Sequence, residues 1–258
     1  MRLMKRILSA AAVLALSASL LVGCSSGTAS SVPVSASSAT ESTVSSVEET
    51  ASSAVDENEA AAAQLLNDLT GSYQELWPVI LADEYKQTWL DVCTALVGED
   101  NAEAAFEKLS SMVTGDVYGE DAVEAYANGG GAYFCGFTNS LATLTFDGET
   151  STISGTDKDG NVLFSHTYHY IGMEPVRGLY EFESDDADSG EFTYFFLAPD
   201  TSAETYHIEF RYGSDADALS QYDAGDYAYW LASGISTDCD QTMIDNCIEL
   251  FCTENLAG

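Results

Sequence analysis

Residues 141–171, LATLTFDGETSTISGTDKDGNVLFSHTYHYI, decide the fold of this chain. Turn-forming residues interrupt the stretch at Asp147-Gly148 and at Asp159-Gly160, and such pairs favour the tight turns between antiparallel strands. Between the turns, the residues are mostly β-branched or aromatic. The stretch therefore predicts three successive strands: Leu141–Phe146, Ser151–Thr156 and Val162–Ile171.

Runs of the same composition continue on both sides of this stretch. They predict four more strands: Ala132–Thr138, Gly178–Glu183, Glu191–Leu197 and Thr205–Tyr212. Short strands that follow one another with turn residues between them are typical of an antiparallel sheet that closes into a barrel.

Helical patterns flank the strands. Apolar residues at three- and four-residue steps predict helices at Glu57–Leu69, Glu84–Leu96, Ala102–Val113, Asp121–Ala127, Asp215–Tyr222 and Thr242–Phe251. Residues 56–258, about 200 in all, suffice for one core. The predicted fold class is α+β, an antiparallel β-barrel with N-terminal helices and a C-terminal helix.

The N-terminus carries an export signal. A basic start, Met1–Arg6, precedes an uncharged apolar run, Ile7–Val22, and then Gly23-Cys24. This pattern resembles a bacterial lipobox, so residues 1–23 are a predicted signal peptide and Cys24 the predicted lipidated N-terminus. An ordinary signal peptide with an incidental cysteine is the alternative. We expect a lipid-anchored protein on the extracytoplasmic face of the cell membrane.

Residues 24–55 are predicted to form a disordered tether. Ser and Thr make up 16 of the 29 residues in 25–53, with no apolar periodicity. Such a composition buries too little apolar surface to offset the entropy of ordering.

Charge narrows the range of partners. The formal net charge is −34, and such a surface repels nucleic acid and anionic lipid. Nucleic-acid binding is therefore excluded, while a carboxylate-rich surface is compatible with both cation binding and simple solubility.

Six cysteines are present, and assigning Cys24 to the lipid leaves five. Because five is odd, at least one thiol is free. The CxxC spacings of common zinc sites are missing. One disulfide is compatible with the sequence, which does not specify the pair.

Only three histidines are present: His166, His169 and His207. His207 and Glu209 would share one face of a strand, where an imidazole and a carboxylate can bind one divalent metal. A histidine paired with a surface glutamate is the alternative. His166 and His169 are three residues apart, so an unbroken strand sends them to opposite faces and at most one can join His207. We expect His166, whose alternate neighbours are aromatic, with His169 as the fallback.

Several stretches resemble the ZinT-like zinc-binding domains. They are Gly71–Pro78, Gly178–Phe182, Ala198-Pro199, Tyr206–Gly213, Tyr227–Trp230 and Asp240–Phe251, which together span roughly residues 60–255. The resemblance implies a lipocalin-like (calycin-like) barrel with helices at its ends, and zinc or another divalent cation as the ligand. A metal transporter is then a candidate partner.

The metal site departs from the family pattern. The resemblance implies a histidine four residues before the Ala-Pro proline and a His-x-His pair on the next strand. Here Phe195 stands at the first position, and the pair reads His207-x-Glu209. The sequence-based prediction is a zinc site of His207, Glu209 and His166, completed by water.

Two alternatives to a metal-binding lipoprotein stay open. One is a degenerate barrel that acts as a non-metal binding or interaction module, which Phe195 favours. The other is an enzyme, which we do not expect because no nucleophile with a matched base is apparent.

Overall fold

Eight antiparallel strands close into a barrel in the computed structural model, which describes residues 45–199 and 207–256, with side chains from residue 57 onward. Each strand pairs with the next in sequence, and β8 pairs with β1. The strands are β1 Gly71–Glu75, β2 Thr143–Asp147, β3 Thr152–Thr156, β4 Val162–Met173, β5 Tyr180–Ser184, β6 Tyr194–Leu197, β7 His207–Gly213 and β8 Ala232–Ser236. The predicted fold class is therefore confirmed.

Alternate residues of the strands fill the inside of the barrel. This inner core is largely aromatic and contains Leu144, Phe146, Ile153, Phe164, Tyr168, Phe182, Phe195, Ile208, Phe210, Tyr212 and Trp230. Burying aromatic rings of this size supplies much of the hydrophobic stabilisation of such a core. An interior filled in this way is a packed core.

Seven α-helices are present in the described part of the chain. They are α1 Ser45–Asp68, α2 Leu76–Ile80, α3 Lys86–Val97, α4 Glu99–Val113, α5 Glu120–Ala127, α6 Ala216–Leu219 and α7 Gln241–Leu256. Helices α2, α3, α4 and α7 form a second hydrophobic core with Ile235 of β8. This outer core is the layer against which the candidate site lies.

Helix α1 packs an apolar stripe against the inner core, with Ala62, Leu65 and Leu66 buried, and Leu69 just beyond its end is buried as well. The turn after β2 approaches it closely, because a Cβ atom on Gly148 would lie 2.4 Å from the Cα atom of Asn67. Gly148 therefore serves the predicted turn and also the close packing of helix on sheet.

One predicted strand is wrong and two strands were not predicted. Residues 132–138 make only isolated bridges, from Phe134 to Thr114 and to Trp230. The sequence does not predict strands β1 and β8, because GSYQE and ASGIS are poor in β-branched and aromatic residues. Their place in the barrel comes from pairing with their neighbours.

The predicted signal peptide 1–23 and Cys24 lie outside the described residues. Helix α1 begins at Ser45, within the segment 24–55 that the sequence assigns to the tether. The start of the domain therefore stays a prediction. Of the helices that the structure describes, none combines the length and the apolar character that crossing a bilayer requires.

Candidate metal centre

His207 and Glu209 both lie on the outer face of β7. Their neighbours Ile208 and Phe210 belong to the inner core of the barrel. The cross-strand partner of His207 is Ile235, whose side chain lies in the outer core, and directly paired residues of an antiparallel sheet share a face. The imidazole and the carboxylate therefore point toward the helical layer.

A narrow cleft receives these two side chains. Its volume is about 40 Å³, which holds an ion with a few waters but is far below the several hundred Å³ of a typical organic-ligand pocket. Helices α2 and α7 supply the rest of its walls. The lining residues are Leu76, Trp77, Ile80, His207, Glu209, Cys247, Leu250, Phe251 and Glu254.

The polar groups in the cleft favour a cation. Two carboxylates, Glu209 and Glu254, accompany the imidazole of His207, and no Lys or Arg appears among the described residues that line the cleft. Burial, and to a lesser extent the nearby Cys239, raises the pKa of Cys247 to about 12. Cys247 is therefore a neutral thiol at ordinary pH, and the anionic donors are the two carboxylates.

The charge of Glu209 also affects the pKa of a residue that does not line the cleft. The pKa of Cys135 is raised mainly by burial and further by the negative charge of Glu209. Cys135 is 7% exposed, so little solvent screens this interaction. A cation bound at Glu209 would offset this charge and so lower the pKa of Cys135.

His166 does not join His207, which corrects the predicted ligand set. Its cross-strand partner is Ile153 of the inner core, so His166 faces the inside of the barrel, whereas His207 faces outward. Strands β5 and β6 stand between β4 and β7, a separation of roughly 14 Å at the usual strand spacing. The His166 Nδ1 atom instead lies 2.7 Å from Asp186 Oδ2.

His169, the fallback ligand, is also away from the cleft. Its cross-strand partner is Glu183 of the neighbouring strand β5. Its Nδ1 atom lies 2.8 Å from Asp185 Oδ1 on the exposed surface. His169 lies on β4, which β5 and β6 separate from β7, so it forms a surface pair rather than part of the cleft.

Phe195 is fully buried inside the barrel. It packs against Tyr168 and Tyr212 with ring centroids 5.4 Å and 5.3 Å away. The position where the family pattern implies a histidine is therefore occupied by an apolar core residue.

The cleft gathers potential donors without arranging them as a finished site. Within residues 45–199 and 207–256, no group of three His, Cys, Asp or Glu side chains is placed to hold a metal ion as it stands. A cation at His207 and Glu209 would need a further ligand to turn toward it. Glu254 is the charged candidate in the same cleft.

Sequence reasoning missed Glu254 and the role of Cys247 as a cleft wall. The two residues are seven apart on α7, which is the spacing of neighbours along one helix face. The predicted helix ended at Phe251, whereas α7 continues to Leu256 and carries Glu254 into the cleft. A longer helix with the same face in register would have indicated the carboxylate.

Two solved structures are similar to this chain. The chain is similar to ZinT-like domains. It covers 89% of the Zn(II)-bound ZinT-like domain of Streptococcus pneumoniae AdcA with 71% of its own length, at 16% identity and a TM-score of 0.45. It is also similar to Zn(II)-bound AdcA from the same organism, at 15% identity and a TM-score of 0.42 over 72% of this chain.

The chain spans only 35% of that longer AdcA chain. No family model and no curated protein sequence matches the chain.

Proposed function

We propose that this protein binds a divalent cation, zinc in the first place, in the cleft between β7, α2 and α7. The observation that carries the proposal is the convergence of His207, Glu209 and Glu254 on one small acidic cleft. An imidazole with carboxylates is a common ligand set for zinc, with bonds of about 2.0–2.2 Å. The volume of the cleft suits an ion and not an organic molecule.

His207 and Glu209 supply the fixed part of the site. Both are held on a strand whose inner face is fully packed, so their positions change little on binding. Glu254 on α7 turns toward the ion as the third ligand in place of His166, and water completes the coordination. Because one ligand must reorient, binding is weaker than at a preassembled structural site.

The cation is cargo rather than a structural element. Both cores are already packed with apolar side chains, so the fold does not depend on a metal. A reversible, partly open site suits acquisition or buffering of metal outside the cytoplasm, with a metal transporter as the receiving partner.

We place the protein on the extracytoplasmic face of the cell membrane, anchored by a lipid on Cys24. The basic start, the apolar run and Gly23-Cys24 support this. Metabolic labelling with a fatty-acid analogue should mark the wild type and spare Cys24→Ala. Equal labelling of both would refute the anchor.

A non-metal interaction module is the second candidate. It is favoured by Phe195, which is fully buried where the family pattern implies a histidine, and by the need for Glu254 to move. Under this alternative the barrel is retained and the cleft holds only water.

Metal analysis of the purified protein distinguishes the metal-binding proposal from the interaction module. We expect about one zinc per chain after exposure to zinc and gel filtration, and loss of that zinc in His207→Ala. His169→Ala is the matched control, since it removes a surface imidazole outside the cleft. Equal zinc in all three proteins would assign the metal to the acidic surface and favour the interaction module.

A further inference from the structure

Two fully buried cysteines meet where α3 and α7 pack together. The Sγ atoms of Cys93 and Cys252 are 3.9 Å apart, and both residues are 0% exposed. The other cysteines of the described chain are Cys135, Cys239 and Cys247, and none of the five is in a disulfide in this structure. Among them, the pair of Cys93 and Cys252 has its sulfur atoms in contact.

The two sulfur atoms are in van der Waals contact. An S–S bond is about 2.05 Å long, so the two sulfur atoms need to approach by roughly 2 Å in total. A small rotation about the Cα–Cβ bonds moves a sulfur atom by that order, and the two thiols already face each other. The bond therefore requires only a short approach of the two sulfur atoms.

We propose that Cys93 and Cys252 form a disulfide in the mature protein. The oxidant is a small or protein disulfide, R–S–S–R. The thiolate of one cysteine attacks it and releases one RSH, and the second thiolate then displaces the other RSH from the mixed disulfide. The two cysteines lose two protons and two electrons, and the donor is reduced to two thiols.

An oxidising compartment sustains such a bond, and to that extent the inference rests on the proposed extracytoplasmic location. It does not depend on metal binding.

Burial determines when the bond forms. It raises the pKa of both thiols, and the thiolate is the reactive species. In the folded domain the pair is therefore slow to react. Oxidation takes place during folding, or when α7 moves away from α3, and the finished bond is then shielded from reductants.

The bond would join distant parts of the chain. Cys93 and Cys252 are 159 residues apart, and strands β2 to β8 all lie between them. Closing so long a loop restricts the unfolded chain strongly.

The same bond would steady a wall of the cation cleft. Phe251, next to Cys252, packs edge-on against Trp77 with ring centroids 4.7 Å apart, and both residues line the cleft. Fixing Cys252 to α3 therefore holds α7 in position beside His207.

Peptide mapping tests the bond directly. The mature chain carrying Cys24→Ser, so that Cys24 adds no thiol, is unfolded in reductant and refolded with oxidised and reduced glutathione. Cleavage at Lys and Arg leaves Cys93 alone in peptide 87–108 and puts Cys252 in peptide 212–258. We expect these two peptides to be linked without reductant.

Variants assign the second sulfur, because peptide 212–258 also contains Cys239 and Cys247. The link should disappear in Cys252→Ser and persist in Cys239→Ser, the matched control on the same peptide. A link that survives Cys252→Ser, or no link in any refolded protein, would overturn the proposal.

Thermal unfolding provides a second readout. The oxidised protein should melt roughly 5–15 °C above its reduced form, and the amides of α7 should exchange more slowly. In Cys93→Ala the melting temperature should not respond to reductant. An equal response in Cys93→Ala would contradict the assignment.

Discussion

Arg211 is a fully buried guanidinium in a strongly acidic protein. It donates hydrogen bonds to the backbone carbonyl oxygens of Leu219, Gln221 and Tyr227, which lie at the end of α6 and in the loop that follows. It also lies over the ring of Tyr222, 4.4 Å from the ring centroid. One side chain thus ties the outer face of β7 to the chain that leads to β8.

Replacing the guanidinium of Arg211 should destabilise the protein. We expect Arg211→Met to lower the free energy of unfolding by about 2–4 kcal/mol, because three carbonyl oxygens lose charged donors. Urea denaturation followed by circular dichroism measures the change.

Lys86→Met is the matched control, since it removes an exposed cation 3.1 Å from Glu103. It should change the stability by less than about 0.5 kcal/mol. Similar losses in the two variants would show that Arg211 is not an anchor.

Helix α7 is the element that would complete the proposed cation site. Its buried residues Ile244, Ile248 and Cys252 belong to the outer core, whereas Glu254 lies in the cleft. The contribution of α7 to cation binding can therefore be separated from its contribution to stability.

Glu254→Gln should weaken zinc binding about tenfold or more, because an amide oxygen is a poorer zinc ligand than a carboxylate. The melting temperature should change little. Glu249→Gln makes the same change at an exposed position of α7 and should leave the affinity unchanged. Equal affinities for the two variants would remove Glu254 from the ligand set.

At the level of elements, the side-chain pattern of the strands and the turn-forming residues between them predicted part of the barrel. Strands β2, β3 and β4 follow from their side-chain pattern and from Asp147-Gly148 and Asp159-Gly160. Strands β1 and β8 do not, since their stability comes from partners that are distant in the sequence.

The site was predictable in part. His207 and Glu209 share a face because strand residues two apart always do. His166 was assigned to them although its aromatic neighbours indicated the barrel interior, while Ile208 and Phe210 already indicated that His207 faces outward. Which helix covers the outer face of β7 depends on tertiary packing. The pattern of the strand alone therefore could not predict that Glu254 lies in the cleft.

The whole molecule combines an aromatic barrel core with an outer helical core. The inner part of the barrel contains tyrosines, and burial disfavours the ionisation of their phenol groups. Burial raises the pKa values of Tyr168 and Tyr212 there. It also raises the pKa of Tyr222, which lies beside Arg211 outside the inner core, and raises that of Tyr126 to about 12.

These shifts predict the alkaline limit of the fold. A phenol in the unfolded chain ionises near pH 10, whereas the folded protein holds the proton to higher pH. The stabilisation is thus complete below about pH 10 and is lost as the pH rises above it.

We expect the buried tyrosines to ionise together in a steep unfolding step above about pH 10. Tyrosinate absorbance and near-ultraviolet circular dichroism should change at the same pH. Gradual ionisation of all 14 tyrosines, with an unchanged near-ultraviolet spectrum, would contradict the burial of these rings.

Calorimetric titration with zinc tests the central claim most directly. At neutral pH the wild type should bind about one zinc per chain at a saturable site, and binding should weaken in acid because protons compete with the metal for its ligands. His207→Ala should lose that site, whereas His166→Ala and His169→Ala should keep it, because both lie outside the cleft. Wild-type binding by His207→Ala, or loss of binding in His166→Ala, would contradict the account.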